Sequence, residues 1–331
     1  MKALVTGGGG FLGGVIVRLL RERGDQVRSF SRGEHPALAA MGVEQVQGDL
    51  GDQAAVVAAA QGCDIVFHVA ARAGIWGSYS DFYRSNVTGT ANVLAACRAN
   101  DIKKLVYTSS PSVVFDGRDV EGGDESILYP ASYEAHYPKT KALAEQMVLT
   151  AASPLLATVA LRPHLIWGPG DNHLVPRILA KGRAGKLRRI GDHPNLVDTV
   201  YVDNAAKAHL QAADRLAMDN AISGRAYFIS NGEPLPLWEM VNRILATAGI
   251  PPVTRSISPK LAYTAGCICE GLWGLLRLGG EPPMTRFVAH ELATAHWFNI
   301  EAARRDFDYQ PEISIDEGLL RLRQWLVTSR S

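Results

Sequence analysis

The 331-residue chain sets 34 basic against 33 acidic side chains, a formal net charge of +1, and 47% of its residues are hydrophobic. This composition excludes a disordered polymer and can bury the core of one large domain or two unequal lobes. With so little net charge it offers no broad field to attract nucleic acid, and no nucleic-acid partner is expected.

In chain order, Ala3 to Thr6 reads as a buried strand that runs straight into a glycine turn, so Lys2 to Thr6 is not expected to be a secretory leader. A helix to Arg23 follows, then β-branched runs at Gln26 to Phe30, Val43 to Gln47, Ile65 to Val69 and Lys104 to Thr108, alternating with helical stretches. Repeated βαβ units of this kind predict an α/β fold, a Rossmann-type doubly wound parallel sheet. A helix over roughly Tyr133 to Thr150 and a strand at Leu156 to Leu161 close the series, which places a dinucleotide-binding domain over 1–163. Beyond it, Gly168-Pro-Gly170, Pro234-Leu-Pro236, Pro251-Pro252 and Pro282-Pro283 break the chain into short pieces, as expected of a smaller, mostly helical substrate-binding lobe over 164–331. Val200 to Asn204 and Ala226 to Ser230 read as strands returning to the sheet edge, so returns to the first domain are expected near 197–215 and 226–230.

Cys63, Cys97, Cys267 and Cys269 have neither the density of a disulfide scaffold nor the spacing of a zinc site; reduced thiols and a cytoplasmic location are expected. Leu261 to Leu278 is rich in leucine but carries Glu270, Arg277 and three glycines, short of the roughly 20 apolar residues that span a bilayer. It reads as a helix of the smaller lobe, with a flap over a lipid-sized pocket or a peripheral membrane contact as alternatives.

Within Thr6-Gly-Gly-Gly-Gly-Phe-Leu-Gly13, the residues Gly7, Gly10 and Gly13 follow one strand and open one helix. Each meets a mechanical demand, in turn a tight bend, close approach of backbone to a pyrophosphate, and close packing of helix on sheet. Phe11 and Leu12 belong to the same turn. At the end of the second strand a carboxylate would hold the ribose of NAD, whereas a cation there suits the 2′-phosphate of NADP. Phe30-Ser31-Arg32 offers no carboxylate before Glu34, so Ser31 and Arg32 point to NADP(H). In Gly48-Asp-Leu50, Asp49 is placed to bond the adenine amino group, beside Leu50.

Tyr137-Pro-Lys-Thr-Lys141 puts a phenol and an ammonium on one helical face, with Cβ atoms roughly 5–6 Å apart. A free phenol titrates near pH 10, and a neighbouring ammonium is expected to lower that value. Tyr137 is the candidate general acid and Lys141 its tuning partner, also placed to bond the nicotinamide ribose. The preceding strand ends in Tyr107-Thr-Ser-Ser110, and the Ser110 hydroxyl would hold the carbonyl oxygen where charge develops. Ser109 is weaker, because adjacent strand residues point to opposite faces. No metal is expected, although the spacing of His290 and His296 invites that reading.

The glycine turn, Gly48-Asp-Leu50, His68-Val-Ala-Ala71, Asn86-Val-Thr-Gly89, Tyr107-Thr-Ser-Ser110, Tyr137-Pro-Lys-Thr-Lys141 and Leu161-Arg-Pro163 together resemble the extended short-chain dehydrogenases, in their 3β-hydroxysteroid dehydrogenase-like branch. The resemblance implies Ser110, Tyr137 and Lys141 as the catalytic set, Ala70 and Ala71 lining the cofactor, and Pro163 with His164 to Ile166, including Leu165, near the nicotinamide. Asn86 is read as a structural residue of the central helix. Trp76-Gly-Ser-Tyr79, Leu165-Ile-Trp-Gly-Pro-Gly-Asp-Asn-His173, Ile229-Ser-Asn-Gly-Glu-Pro-Leu-Pro236 and Ala303-Arg-Arg-Asp-Phe307 are similar to bacterial 2-alkyl-3-oxoalkanoate reductases. That likeness implies an NADPH-dependent reduction of a long, two-tailed β-keto acid in olefinic hydrocarbon synthesis.

Such a hydrophobic β-keto acid needs an apolar cavity with one anion contact. Trp76, Trp167, Trp273 and Phe287 are candidate walls, and Arg72 and Arg286 candidate carboxylate partners; Arg162 reads as a structural ion pair. A 3β-hydroxysteroid or sterol-4-carboxylate dehydrogenase shares the catalytic set and is the alternative. A dinucleotide-sensing regulator has no reason to keep all three catalytic residues, and a sugar-nucleotide epimerase fits poorly with the apolar second lobe. By resemblance, a homodimer and contact with partner enzymes are expected.

Overall fold

The computed structural model describes residues 1–218 and 221–328. Its centre is a seven-stranded sheet in the order Arg225–Ile229, Ala157–Pro163, Lys104–Thr108, Ile65–His68, Lys2–Thr6, Gln26–Ser31, Glu44–Gln47, with every pair parallel. Strands buried on both faces read as continuous apolar runs, and Ile65–His68 and Ala157–Pro163 are buried throughout. Ile16, Val17 and Leu20 cover one face of the sheet; Val56, Val93, Leu94, Ala144 and Val148 belong to the core of the other. The strand order reverses between Lys2–Thr6 and Ile65–His68, where Thr6 pairs with His68, and ligands of doubly wound sheets bind at such a switch point.

Arg225–Ile229 adds in parallel beside Ala157–Pro163, as its sequence suggested. The other returning segment differs from expectation. Only Val200–Tyr201 is strand, and it pairs with Ile166–Trp167 in a separate two-stranded sheet; Val202–Arg215 is a helix. Val202, Ala205, Ala206, Ala208, His209, Ala212 and Ala213 are buried along it, an apolar stripe of helical period. That helix returns to the first domain as a layer over the sheet, its Arg18–Asp203 and Arg23–Asp214 ion pairs tying it to helix Phe11–Glu22. A four-stranded sheet joins Leu235–Pro236, Leu196–Val197, His296–Phe298 and Val120–Gly123, so a strand from the first half of the chain completes a sheet of the second. No helix of the described residues is long and apolar enough to cross a membrane.

Candidate active site

Helix Phe11–Glu22 starts at Gly10, which supplies no side-chain cap, so the first N–H groups stay available to an anion. Gly7 turns with φ 71°, and a Cβ on it would lie 3.0 Å from Ala70. At Gly13 a Cβ would fall 2.1 Å from the Gly7 carbonyl oxygen; only hydrogen fits between helix and turn. Gly7, Gly10, Phe11, Leu12 and Gly13 line a cleft of about 670 Å³. Ser31 and Arg32, Asp49 and Leu50, and Ala70 and Ala71 follow the second, third and fourth strands into the same cleft, which Ser110, Tyr137, Lys141, Pro163, Leu165 and Ile166 also line. Leu165 adopts φ 42°, a left-handed backbone that costs energy for a side chain of its size.

At the far end the Ser31 hydroxyl donates to the Gly33 carbonyl at 2.8 Å, while the exposed Arg32 guanidinium has no hydrogen-bond or ion-pair partner among the described residues. Asp49 Oδ1 accepts from the Gly51 N–H at 2.7 Å and Oδ2 lies 3.4 Å from Arg84. His35 lines this end too, its ring so close over Gly9 that a Cβ there would come within 2.1 Å. Sequence reasoning missed His35, because a histidine in a loop carries no motif.

Tyr137 and Lys141 rise from helix His136–Thr150, one turn apart. Ser110 lies two residues past the strand Lys104–Thr108 and caps a short 3₁₀ turn, sharing a hydrogen bond of 2.9 Å with the Ser112 hydroxyl. Burial pushes the Tyr137 phenol up to about 12; a hydrogen bond with Ser110 opposes that rise and the Glu291 carboxyl adds to it. The expected lowering by Lys141 is therefore not what this structure shows. The Lys141 ammonium is instead engaged elsewhere, donating to the Thr108 carbonyl at 2.6 Å and lying 4.1 Å over the Tyr107 ring. Burial pushes Lys141 down to about 7, against the pull of Glu145 one turn on. Glu291, which no motif flagged, is itself pushed up to about 8 by burial. Ser109 also lines the cleft, with its hydroxyl buried and unpartnered.

Asn86 sits in a π-helical turn, Tyr83–Thr88, a geometry frequent at functional sites. Its amide accepts from the Arg72 N–H at 2.7 Å and donates to the Arg72 carbonyl at 3.1 Å and to Thr140 at 3.0 Å, joining the loop after the fourth strand to the Tyr137 helix. Arg162 pairs with Glu145 at 2.6 Å, both nearly fully buried, while Tyr129 donates to the same carboxylate. This is a structural ion pair, as read from sequence.

The substrate-side candidates scatter. Arg72 lines the cleft, 3.5 Å from Asp81. Arg286 does not; it forms a 2.7 Å ion pair with Glu270 that pins two helices together. Trp167 is fully buried core, donating to Thr199 at 3.0 Å and packing edge-on against Tyr201. Trp76 and Trp273 are half-buried and lie outside the cleft lining, Trp273 with an unpartnered indole N–H. His164, expected beside the nicotinamide, lies outside that lining; its Nδ1 is 2.6 Å from Asp198 and its Nε2 3.2 Å from His296. His290 stacks on Tyr263 and pairs with Glu134.

A doubly wound parallel sheet with a glycine-capped helix, and a serine, tyrosine and lysine meeting in its cleft, defines an oxidoreductase of the short-chain dehydrogenase type. More particularly, the chain belongs to the 3-beta hydroxysteroid dehydrogenase/isomerase family, which residues 4–258 match. It is 57% identical over 325 residues to a 2-alkyl-3-oxoalkanoate reductase of Stenotrophomonas maltophilia, covering 98% of each chain. To a mouse sterol-4-alpha-carboxylate 3-dehydrogenase, decarboxylating, it is 35% identical, over 98% of this chain and 90% of the mouse protein. Among solved structures, MoeE5 in complex with UDP-glucose and NAD superposes with a TM-score of 0.77 at 23% identity, over 100% of both chains, a likeness of fold.

Proposed function

We propose that this protein uses NADPH to reduce the 3-oxo group of long-chain 2-alkyl-3-oxoalkanoic acids to 2-alkyl-3-hydroxyalkanoic acids, as a step in long-chain olefin synthesis. The observation that carries the reading is that the glycine turn, Arg32 and the set Ser110, Tyr137 and Lys141 all line one cleft. The 57% identity to a reductase of that name supports the substrate class.

The cradle fits a dinucleotide, since an uncapped helix start faces the cleft and a Cβ on Gly7 would crowd Ala70 across it. Gly7, Gly10 and the first N–H groups of helix Phe11–Glu22 would hold the pyrophosphate, Asp49 the adenine, and Ala70, Ala71, Pro163, Leu165 and Ile166 the nicotinamide half. The reduced nicotinamide, when bound, supplies the hydride. Tyr137 then gives its phenolic proton to the ketone oxygen, and the Ser110 hydroxyl stabilises the charge on that oxygen. Lys141, held against the Thr108 carbonyl one turn from Tyr137, would orient the ribose. Arg72 is the arginine left to meet the substrate carboxylate, since Arg286 is committed to Glu270.

NADP is favoured over NAD because the second strand ends in Ser31-Arg32 with an unpaired guanidinium and no carboxylate. Steady-state kinetics with a 2-alkyl-3-oxo acid test this: NADPH should outperform NADH, and Arg32→Glu should cost NADPH roughly 10- to 100-fold in kcat/KM while sparing NADH. Equal use of both cofactors by the wild-type protein contradicts the assignment. The 35% identity to a sterol dehydrogenase sustains a second reading, a 3-hydroxysterol oxidation; faster turnover of a sterol-4-carboxylate than of the keto acid would select it.

A further inference from the structure

Helix Pro259–Leu276 turns the usual amphipathic order inside out. Only Ala262 and Gly266 are buried along it. Leu261, Ile268, Leu272, Leu275 and Leu276 are between 45% and 81% exposed. At roughly 100° per residue these five side chains fall within an arc of about 100°, a single apolar stripe. The opposite face is already engaged. A Cβ on Gly266 would lie 2.7 Å from the Arg286 backbone nitrogen, so this helix rests directly on Arg286–Ala293, and Glu270 is bound to Arg286.

The charge around the stripe has one sign. Glu270 is the helix's single acid and faces inward, while exposed Lys260 at its start and exposed Arg277 just past its end have no ion-pair partner among the described residues. An aliphatic stripe between unpaired cations complements a surface of acyl chains beneath anionic headgroups, where such a helix sinks about 5–10 Å. The helix is not long and apolar enough to span. A stable protein interface uses roughly 20–30 residues a side, far more than this one stripe offers.

We propose that this face of helix Pro259–Leu276 docks the protein on an anionic lipid bilayer. The docked helix lies against helix Arg286–Ala293, whose Glu291, when ionised, raises the Tyr137 phenol, so lipid contact falls one helix away from the catalytic group. The proposal does not depend on the reductase reading, because its test needs no turnover.

The full chain is sedimented with phosphatidylcholine vesicles with or without phosphatidylglycerol. The wild-type protein should bind the anionic vesicles roughly tenfold or more tightly than the neutral ones, and less tightly as salt rises. The exposed pair Leu272→Asp with Leu275→Asp should abolish binding while circular dichroism and thermal midpoint stay unchanged, and Lys260→Glu with Arg277→Glu should remove the preference for anionic lipid. Absence of wild-type binding to anionic vesicles, or binding undiminished in the leucine pair, overturns the proposal. So does a wild-type dimer that the leucine pair dissolves in the absence of any vesicle binding, which would make the stripe a contact between copies.

Discussion

A phenol held near 12 keeps its proton at neutral pH, which suits a group that must give that proton to a ketone. Oxidation asks the reverse, a phenolate at Tyr137, and burial opposes it. Reduction should therefore persist across the neutral range, whereas the reverse reaction should accelerate as pH rises. Tyr137→Phe removes the proton and little else, because the ring and its packing remain. Turnover in the reducing direction should fall roughly 10²- to 10⁴-fold, with dinucleotide affinity, read by quenching of protein fluorescence, close to wild type. Turnover within a few-fold of wild type would remove Tyr137 from the chemistry. Motif spacing was enough to bring Tyr137, Lys141 and Ser110 to one cleft, yet it could not weigh burial against charge. The Lys141 ammonium answers to the Thr108 carbonyl and the Tyr107 ring, neither of which neighbours it in sequence.

Among elements, the glycine turn and its helix were the most legible, because three glycines answer to three steric demands that the structure displays as distances. The strictest is at Gly13. Gly13→Ala would place a carbon 2.1 Å from the Gly7 carbonyl, so helix Phe11–Glu22 must lift or the turn must shift. The expected cost is about 1–3 kcal/mol in stability. Because the same turn is the proposed pyrophosphate seat, the KM for the dinucleotide should rise more than tenfold while KM for the ketone changes little. A variant with wild-type cofactor KM would show that the turn does not seat the pyrophosphate. Where local pattern is ambiguous the sequence misled: Val200-Tyr-Val202 reads as a strand, but helix Val202–Arg215 starts at Tyr201 with no capping side chain to announce it. Arg286 and Trp167 were misplaced for a related reason, since an ion pair with Glu270 and a core contact with Tyr201 are long-range facts.

At the scale of the whole molecule, buried neutral histidines join parts of the chain that periodicity cannot connect. His68 lies between Thr6 at 2.8 Å and Thr90 at 3.0 Å. Thr6 Oγ1 already accepts the Val69 and Ala70 N–H groups, and Thr90 donates to the Asn86 carbonyl, so His68 must accept from Thr6 and donate to Thr90 as the neutral ring. His209 joins Thr108 to the Ala205 carbonyl in the same neutral manner, and His296 contacts His164 and the Glu291 carbonyl. Burial pushes His68 down to about 3, and His209 and His296 to about 4. In the unfolded chain each titrates near 6.5, so below that pH the unfolded state takes up protons that the fold refuses, and stability falls with falling pH. Above about pH 7 these groups are neutral in both states and contribute no pH dependence. Each should cost roughly 2 kcal/mol by about pH 5, a large share of the stability of an ordinary domain. Glu291, raised to about 8, has the opposite sign and stabilises the fold as pH falls over the same range, so the ring's share is read from a comparison: in urea unfolding between about pH 7.5 and about pH 5, His68→Gln should lose roughly 2 kcal/mol less than wild type. A His68→Gln variant that loses as much as wild type over that range would mean that the His68 ring accepts a proton in the fold, and a neutral bridge from sheet to helix would then be the wrong description of how these layers are joined.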